Sequence, residues 1–190
     1  MNSHHSEVTD WGLSHISIGK RDSILDVGCG GGRTISELAA IATEGKICGV
    51  DHSAASVTFA RKLNQPAIAT GRADIREASV SELPFPENAF DLVTAVETHF
   101  WWPHLPAGMS EILRVLKPGG TLAIIAEVYK GGNTVTARMS EKVAPVSGMK
   151  ILSVDEHRDL FAEAGYSDIQ VIAEPSKGWI CATGRKPATS

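Results

Sequence analysis

The chain has 190 residues, 43% hydrophobic and 21% charged, with a formal net charge of -4, which suits one domain with a sizeable core rather than two. Its scattered Lys and Arg form no basic stripe, so no nucleic-acid partner is expected, and the widely spaced Cys29, Cys48 and Cys181 fit reduced packing thiols rather than a disulfide frame or a zinc site. No basic-then-apolar leader opens the sequence and no apolar run approaches the roughly 20 residues needed to span a bilayer, so a cytoplasmic protein with no membrane partner is expected.

In chain order, residues 1–22 read as a short N-terminal cap segment with Trp11 as its one bulky anchor, and residues 23–190 as a single domain. The apolar run Ile24-Leu25-Asp26-Val27 then enters Gly28-Cys29-Gly30-Gly31-Gly32 and a helix-forming stretch. Glycine leaves no Cβ in the way, so a ligand can lie against the main chain where the following helix starts. A dinucleotide fingerprint wants a glycine at the sixth position from Gly28, and that position is Arg33.

The first helix should present Ile35, Leu38, Ala39 and Ala42 on one face. A second strand, Lys46-Ile47-Cys48-Gly49-Val50, ends at Asp51. One carboxylate can accept from both vicinal hydroxyls of a ribose, so the glycine loop and Asp51 together describe a nucleoside site. A helix over 53–64 stops before Pro66, and a strand over 90–96 follows. The next helix buries Met109, Ile112, Leu113 and Leu116, and Pro118-Gly119-Gly120 turns into a strand over 121–127. Residues 129–150 read as a lid insertion, with Tyr129, Arg138 and Met139 as acceptor contacts. Ser153-x-x-Glu156 caps a helix whose core face is His157, Leu160, Phe161 and Ala164 and which Gly165 stops. Two strands, 168–174 and 179–185, form a terminal hairpin.

Three stretches, Leu25-Asp26-Val27-Gly28-Cys29-Gly30-Gly31-Gly32, Leu83-Pro84-Phe85-Pro86-Glu87-Asn88-Ala89-Phe90-Asp91-Leu92-Val93 and Arg114-Val115-Leu116-Lys117-Pro118-Gly119-Gly120-Thr121-Leu122, resemble the class I S-adenosylmethionine-dependent methyltransferases. The likeness is to the small-molecule branch that includes the ubiquinone and menaquinone methyltransferases. It implies an α/β fold, a Rossmann-like doubly wound seven-stranded sheet that is parallel except for an antiparallel last strand. It also implies S-adenosyl-L-methionine as cofactor, S-adenosyl-L-homocysteine as product and a small-molecule methyl acceptor.

Carried onto this sequence, the resemblance implies that the methionine moiety lies on Gly28 and Gly30, with Asp26 and Glu97 meeting its ammonium. Asp51 takes the ribose, His52 packs beside the adenine, and the Val80 amide donates to a ring nitrogen. Ser79 stands where the family has an acid that accepts from the adenine amino group, a weaker neutral acceptor. Asp74 lies too early to replace it.

The loop Glu97-Thr98-His99-Phe100-Trp101-Trp102-Pro103-His104 should face the methyl group, Trp101 and Trp102 either shaping the pocket or covering an end of the core. Methyl transfer can proceed by alignment alone; if the acceptor must lose a proton, His99 is the candidate catalytic base, with Glu97 nearby. His99 and His104 make a poor metal pair, and no metal is expected. The thin cap implies a small acceptor or a partner subunit that completes the pocket, with a homodimer kept open. Two other readings stay open on sequence: a cofactor-binding sensor or regulatory subunit without transferase activity, and a nicotinamide-dependent oxidoreductase.

Overall fold

The computed structural model describes residues 3–188; Met1, Asn2, Thr189 and Ser190, the outermost residues of the two expected segments, lie outside the described residues. Seven strands, β1 (Ser23–Val27), β2 (Lys46–Asp51), β3 (Ala73–Glu77), β4 (Phe90–Val96), β5 (Leu116–Ala126), β6 (Ser167–Glu174) and β7 (Trp179–Arg185), form one sheet in the order β3-β2-β1-β4-β5-β7-β6. The pairs β1 with β2, β1 with β4, β2 with β3 and β4 with β5 are parallel, whereas β7 runs antiparallel to both β5 and β6. The sheet is therefore parallel except for its last strand, as the terminal hairpin implies.

Central strands buried on both faces favour near-continuous apolar runs; Leu122–Ala126 of β5 is such a run, and in β1 the run Ile24–Val27 is interrupted only by the buried Asp26. Among the described residues seven α-helices, α1 (Ser3–Leu13), α2 (Arg33–Ile41), α3 (Ala54–Leu63), α4 (Gln65–Ala69), α5 (Leu105–Val115), α6 (Val135–Ser147) and α7 (Val154–Glu163), flank the sheet. On one face Ile35 and Leu38 of α2 and Val57 and Ala60 of α3 pack with Ile24, Ile47, Ile75 and Ile125. On the other, Met109 and Ile112 of α5 and Phe161 of α7 pack with Leu25, Val93, Leu122 and Ile124.

Four features refine the sequence expectations. The segment expected as a cap is helical over Ser3–Leu13, and α1 lies so close to β5 that a Cβ on Gly12 would sit 2.5 Å from Ile125 Cγ2. Pro66 does more than stop the preceding helix, because it occupies the first turn of α4, where its missing N–H costs nothing. The turn at Pro118-Gly119-Gly120 is absorbed into β5, with a register irregularity between Phe90 and Leu92, and Leu116 is at once the C-cap of α5 and the first residue of β5. Asp74 lies inside β3, ion-paired with Arg76 at 2.6 Å. The capping box of α7 is present with both of its bonds, Glu156 N–H to Ser153 Oγ and Ser153 N–H to Glu156 Oε2.

Candidate active site

The cradle forms where β1 and β2 end. The Gly28 and Cys29 amides both donate to Val50 O, at 2.8 and 2.9 Å, and so tie the glycine loop to the tip of β2. Gly28 has φ +70° and no room for a side chain, since a Cβ there would lie 2.0 Å from Thr98 Oγ1. Gly30 is the opposite case: a Cβ there meets nothing within 4 Å, so its open side is free for a ligand. The buried Asn64, at the end of α3, clamps the loop from behind by donating from Nδ2 to Gly32 O at 2.8 Å and to Ala60 O at 2.9 Å. Sequence reading missed this contact, because an Asn ahead of a Pro looks like an ordinary helix end.

Asp51 is the pivot of the site. Its Oδ2 accepts from the Gly30 amide and its Oδ1 from the Ser53 amide, each at 2.9 Å. Two backbone donors thus orient a nearly buried carboxylate, and each oxygen keeps lone-pair capacity for a ligand hydroxyl. His52 beside it is exposed, with Nδ1 3.7 Å from Asp51 Oδ1.

A cavity of about 400 Å³ opens here. Gly28, Asp51, His52, Ser79, Val80 and Glu97 all line it, so six residues scattered over 70 positions converge at the carboxyl ends of the strands. Thr98, Trp101, Trp102 and Pro103 form its apolar wall, and Ser53 and Ser56 complete it. Ser79 Oγ accepts from the Ser81 amide at 3.2 Å, which leaves its hydroxyl proton for another partner.

Two carboxyls sit at low dielectric at or behind the cavity wall. Asp26 is buried beneath the glycine loop, accepts from Thr94 Oγ1 at 2.7 Å and is pushed up to about 7 by burial. Glu97, in the left-handed region at φ +57°, accepts from the Glu127 amide and is pushed up to about 8 by burial, with the Glu127 carboxylate adding to the effect. Of the two residues expected to meet an ammonium, Glu97 is on the cavity wall and Asp26 lies behind it.

His99 is not among the residues that line the cavity. It starts the turn His99–Trp101, is fully buried, and points its Nε2 at His157 Nε2, 3.3 Å away. The reason is packing: Phe100, in ring contact with His99 at 4.4 Å, anchors a small core with Val128, Tyr129 and Ile180. His104 is engaged as the N-cap of α5, its Nδ1 accepting from the Ala107 amide at 3.1 Å. No group of three or more His, Cys, Asp or Glu able to hold a metal occurs among the described residues.

Residues 25–124 match the family model described as a methyltransferase domain. The chain belongs to the methyltransferase family. This methyltransferase is 30% identical over 151 residues to cycloartenol-C-24-methyltransferase 1 of Oryza sativa subsp. japonica, an alignment covering 77% of this chain and 44% of that one. It is 27% identical over 191 residues to the uncharacterised methyltransferase YdaC of Bacillus subtilis, covering 100% of this chain and 97% of that one. The chain therefore spans less than half the length of the rice relative and nearly all of YdaC. Among solved structures, the geranyl diphosphate C-methyltransferase of Streptomyces coelicolor, in complex with Mg2+, geranyl diphosphate and S-adenosyl-L-homocysteine, superposes with a TM-score of 0.77 at 16% identity. That match covers 95% of this methyltransferase and 80% of the other chain, and at this identity it speaks for the class I fold.

Proposed function

We propose that this methyltransferase transfers the methyl group of S-adenosylmethionine to a small acceptor with a largely apolar body. The observation that carries the reading is Asp51, oriented by two amides, one of them that of Gly30, in the same cavity as Gly28 and Glu97. The residues present suit the cofactor. The backbone at Gly28 and Gly30 offers a surface for its amino-acid end, and Glu97 offers a carboxyl to its ammonium. Asp51 accepts from the ribose hydroxyls, while His52, Ser79 and Val80 border the adenine.

When bound, S-adenosylmethionine supplies an electrophilic methyl on a sulfonium. The protein's part is then alignment and exclusion of water. Trp101, Trp102 and Pro103 wall the acceptor side, and holding a nucleophile about 3 Å from the methyl carbon supplies most of the acceleration. The ionisable side chains on the wall are Asp51, His52 and Glu97, two of them committed to the cofactor in this reading, while His99 acts as a positioning residue behind the wall. The apolar acceptor is supported by that Trp-Trp-Pro wall and by relatives named for cycloartenol, for a sterol and for demethylmenaquinone. The oxidoreductase alternative is opposed by Arg33 at the sixth fingerprint position and by antiparallel β7.

The test is calorimetric titration with S-adenosylmethionine, S-adenosylhomocysteine and a nicotinamide dinucleotide, beside Asp51→Ala. Micromolar binding of the first two that the substitution abolishes supports the site. Binding of the dinucleotide alone, or of none, removes the reading.

A further inference from the structure

Helix α6 is packed inside out. Its small residues Ala137 and Ala144 face the body of the protein, with Ala137 fully buried, while its larger apolar residues face water. Val135, Met139, Val143 and Val146 are 78, 54, 49 and 91% exposed. At 100° per residue these four fall within an arc of about 80°, on the side opposite Ala137 and Ala144, so they form one continuous stripe rather than scattered exceptions.

The charges on the helix are sorted as well. Arg138 and Lys142 border the stripe on one side and are exposed, and no ion pair engages either among the described residues. The one acidic residue of the helix, Glu141, turns inward and accepts from the Gly131 amide at 2.6 Å. The outward face is therefore apolar and cationic on a chain whose net charge is -4.

The chain just past this helix is tied to the cavity wall. Just beyond the end of α6, the Lys150 amide donates to Phe100 O at 3.0 Å, and its ammonium to Trp102 O at 3.1 Å and Pro103 O at 2.9 Å. Those bonds bracket Trp101, a residue that is 54% exposed and lines the cavity. A helix of 13 residues, about 20 Å long, with an apolar stripe, a basic border and an exposed Trp near the segment that follows it has the composition of an interfacial helix. No helix among the described residues is long and apolar enough to cross a membrane, which bears on spanning and not on lying at a surface.

We propose that α6 and Trp101 dock on an anionic lipid surface, which sets the mouth of the cavity against the bilayer and lets an amphiphilic acceptor enter without crossing water. The acceptor clause rests on the apolar-acceptor reading above; the docking clause does not, because it needs neither cofactor nor turnover.

The experiment is co-sedimentation of the full chain with phosphatidylcholine vesicles and with vesicles containing phosphatidylglycerol, at low and at high salt. The variants are Met139→Asp/Val146→Asp and Arg138→Glu/Lys142→Glu, with circular dichroism and S-adenosylhomocysteine calorimetry as controls on folding and on the cofactor site. The expected result is binding to the anionic vesicles that falls at least tenfold in each variant and weakens with salt, with both controls unchanged. Absence of vesicle binding by the unsubstituted chain overturns the proposal, as does binding that both variants retain. Sedimentation of the free chain as a dimer that the apolar-to-acidic variant dissociates, with no vesicle binding, assigns the stripe to a second copy instead. If vesicle binding holds while cofactor binding fails, the docking stands and the methyl-transfer reading falls.

Discussion

His99 Nε2 lies 3.3 Å from His157 Nε2, joining the loop that walls the cavity to α7 through two fully buried imidazoles. The hydrogen-bond pattern fixes the tautomers. His157 Nδ1 is 2.7 Å from the Ser153 carbonyl, which can only accept, so Nδ1 carries the proton and Nε2 of neutral His157 accepts from His99. His99 Nδ1 is then a bare acceptor, buried without a partner. Burial and the facing His157 hold His99 well below the usual imidazole range, and burial lowers His157 although Ser153 O and Glu156 pull it up.

A base depressed on folding stabilises the protein fully above its unfolded value of about 6.5 and loses that contribution as pH falls toward the folded value. Between pH 7 and pH 5 the melting temperature should therefore drop more for the unsubstituted protein than for His99→Leu/His157→Leu. At pH 7 the single variant His157→Leu should cost about 1–3 kcal/mol, because it strands the His99 donor in the core. Parallel melting curves for the parent and the double variant over that range would dismiss the argument.

Glu97 carries the opposite sign. Its folded value of about 8 lies above the ordinary carboxyl range, so the contribution of its neutral form is complete at acid pH and is lost as pH rises through about 8. A cationic ammonium beside it reverses the preference and draws off the proton. Cofactor affinity should rise between pH 6 and pH 8 with release of a proton, measured by calorimetry in buffers of different ionisation enthalpy. In Glu97→Gln the affinity should fall and the pH slope should flatten, while the free protein melts higher at pH 8.

The parts of the fold that could be read from the sequence are those fixed by near neighbours. Ser153 and Glu156 stand three apart ahead of an amphipathic run, as a capping box needs, the Gly28 to Gly32 run demands a special backbone, and Glu174 and Trp179 register as the hairpin their spacing allows. Asp51 was legible because a strand end delivers its side chain to the same edge as the glycine loop. His99 was not, since one loop residue points into the cavity or into the core according to how Phe100 packs. Nor was the orientation of α6, read from sequence only as part of a lid with Met139 as an acceptor contact, whereas Ala137 is the buried residue and Met139 is exposed.

Two glycines in the same loop should fail differently. Gly28→Ala places a Cβ 2.0 Å from Thr98 Oγ1 at φ +70°, so both strain and overlap oppose it, and a loss of about 3 kcal/mol or more in denaturant unfolding is expected. Gly30→Ala meets nothing within 4 Å and pays only the conformational cost at φ +50°, about 1 kcal/mol. It should fold and yet bind S-adenosylhomocysteine at least tenfold more weakly, because the added methyl enters the ligand's space. Unimpaired binding by a folded Gly30→Ala protein would move the ligand off this loop.

Ser79 is where the chain departs from the acid its resemblance implies, and the geometry says the departure is reversible. The Ser79 hydroxyl already accepts from the Ser81 amide at 3.2 Å and lines the cavity, and the segment is closed by a bridge to Glu82. A carboxylate in its place can keep the Ser81 contact with one oxygen and offer the other to an adenine amino group. A hydrogen bond to a charged acceptor is worth about 1 kcal/mol more than one to a neutral hydroxyl. Ser79→Asp should therefore bind S-adenosylhomocysteine about fivefold more tightly, with the gain absent for an analogue that lacks the amino group. Equal tightening for both ligands would mean that the carboxylate acts through the loop and not through the base, and no tightening would mean that the adenine does not lie against Ser79.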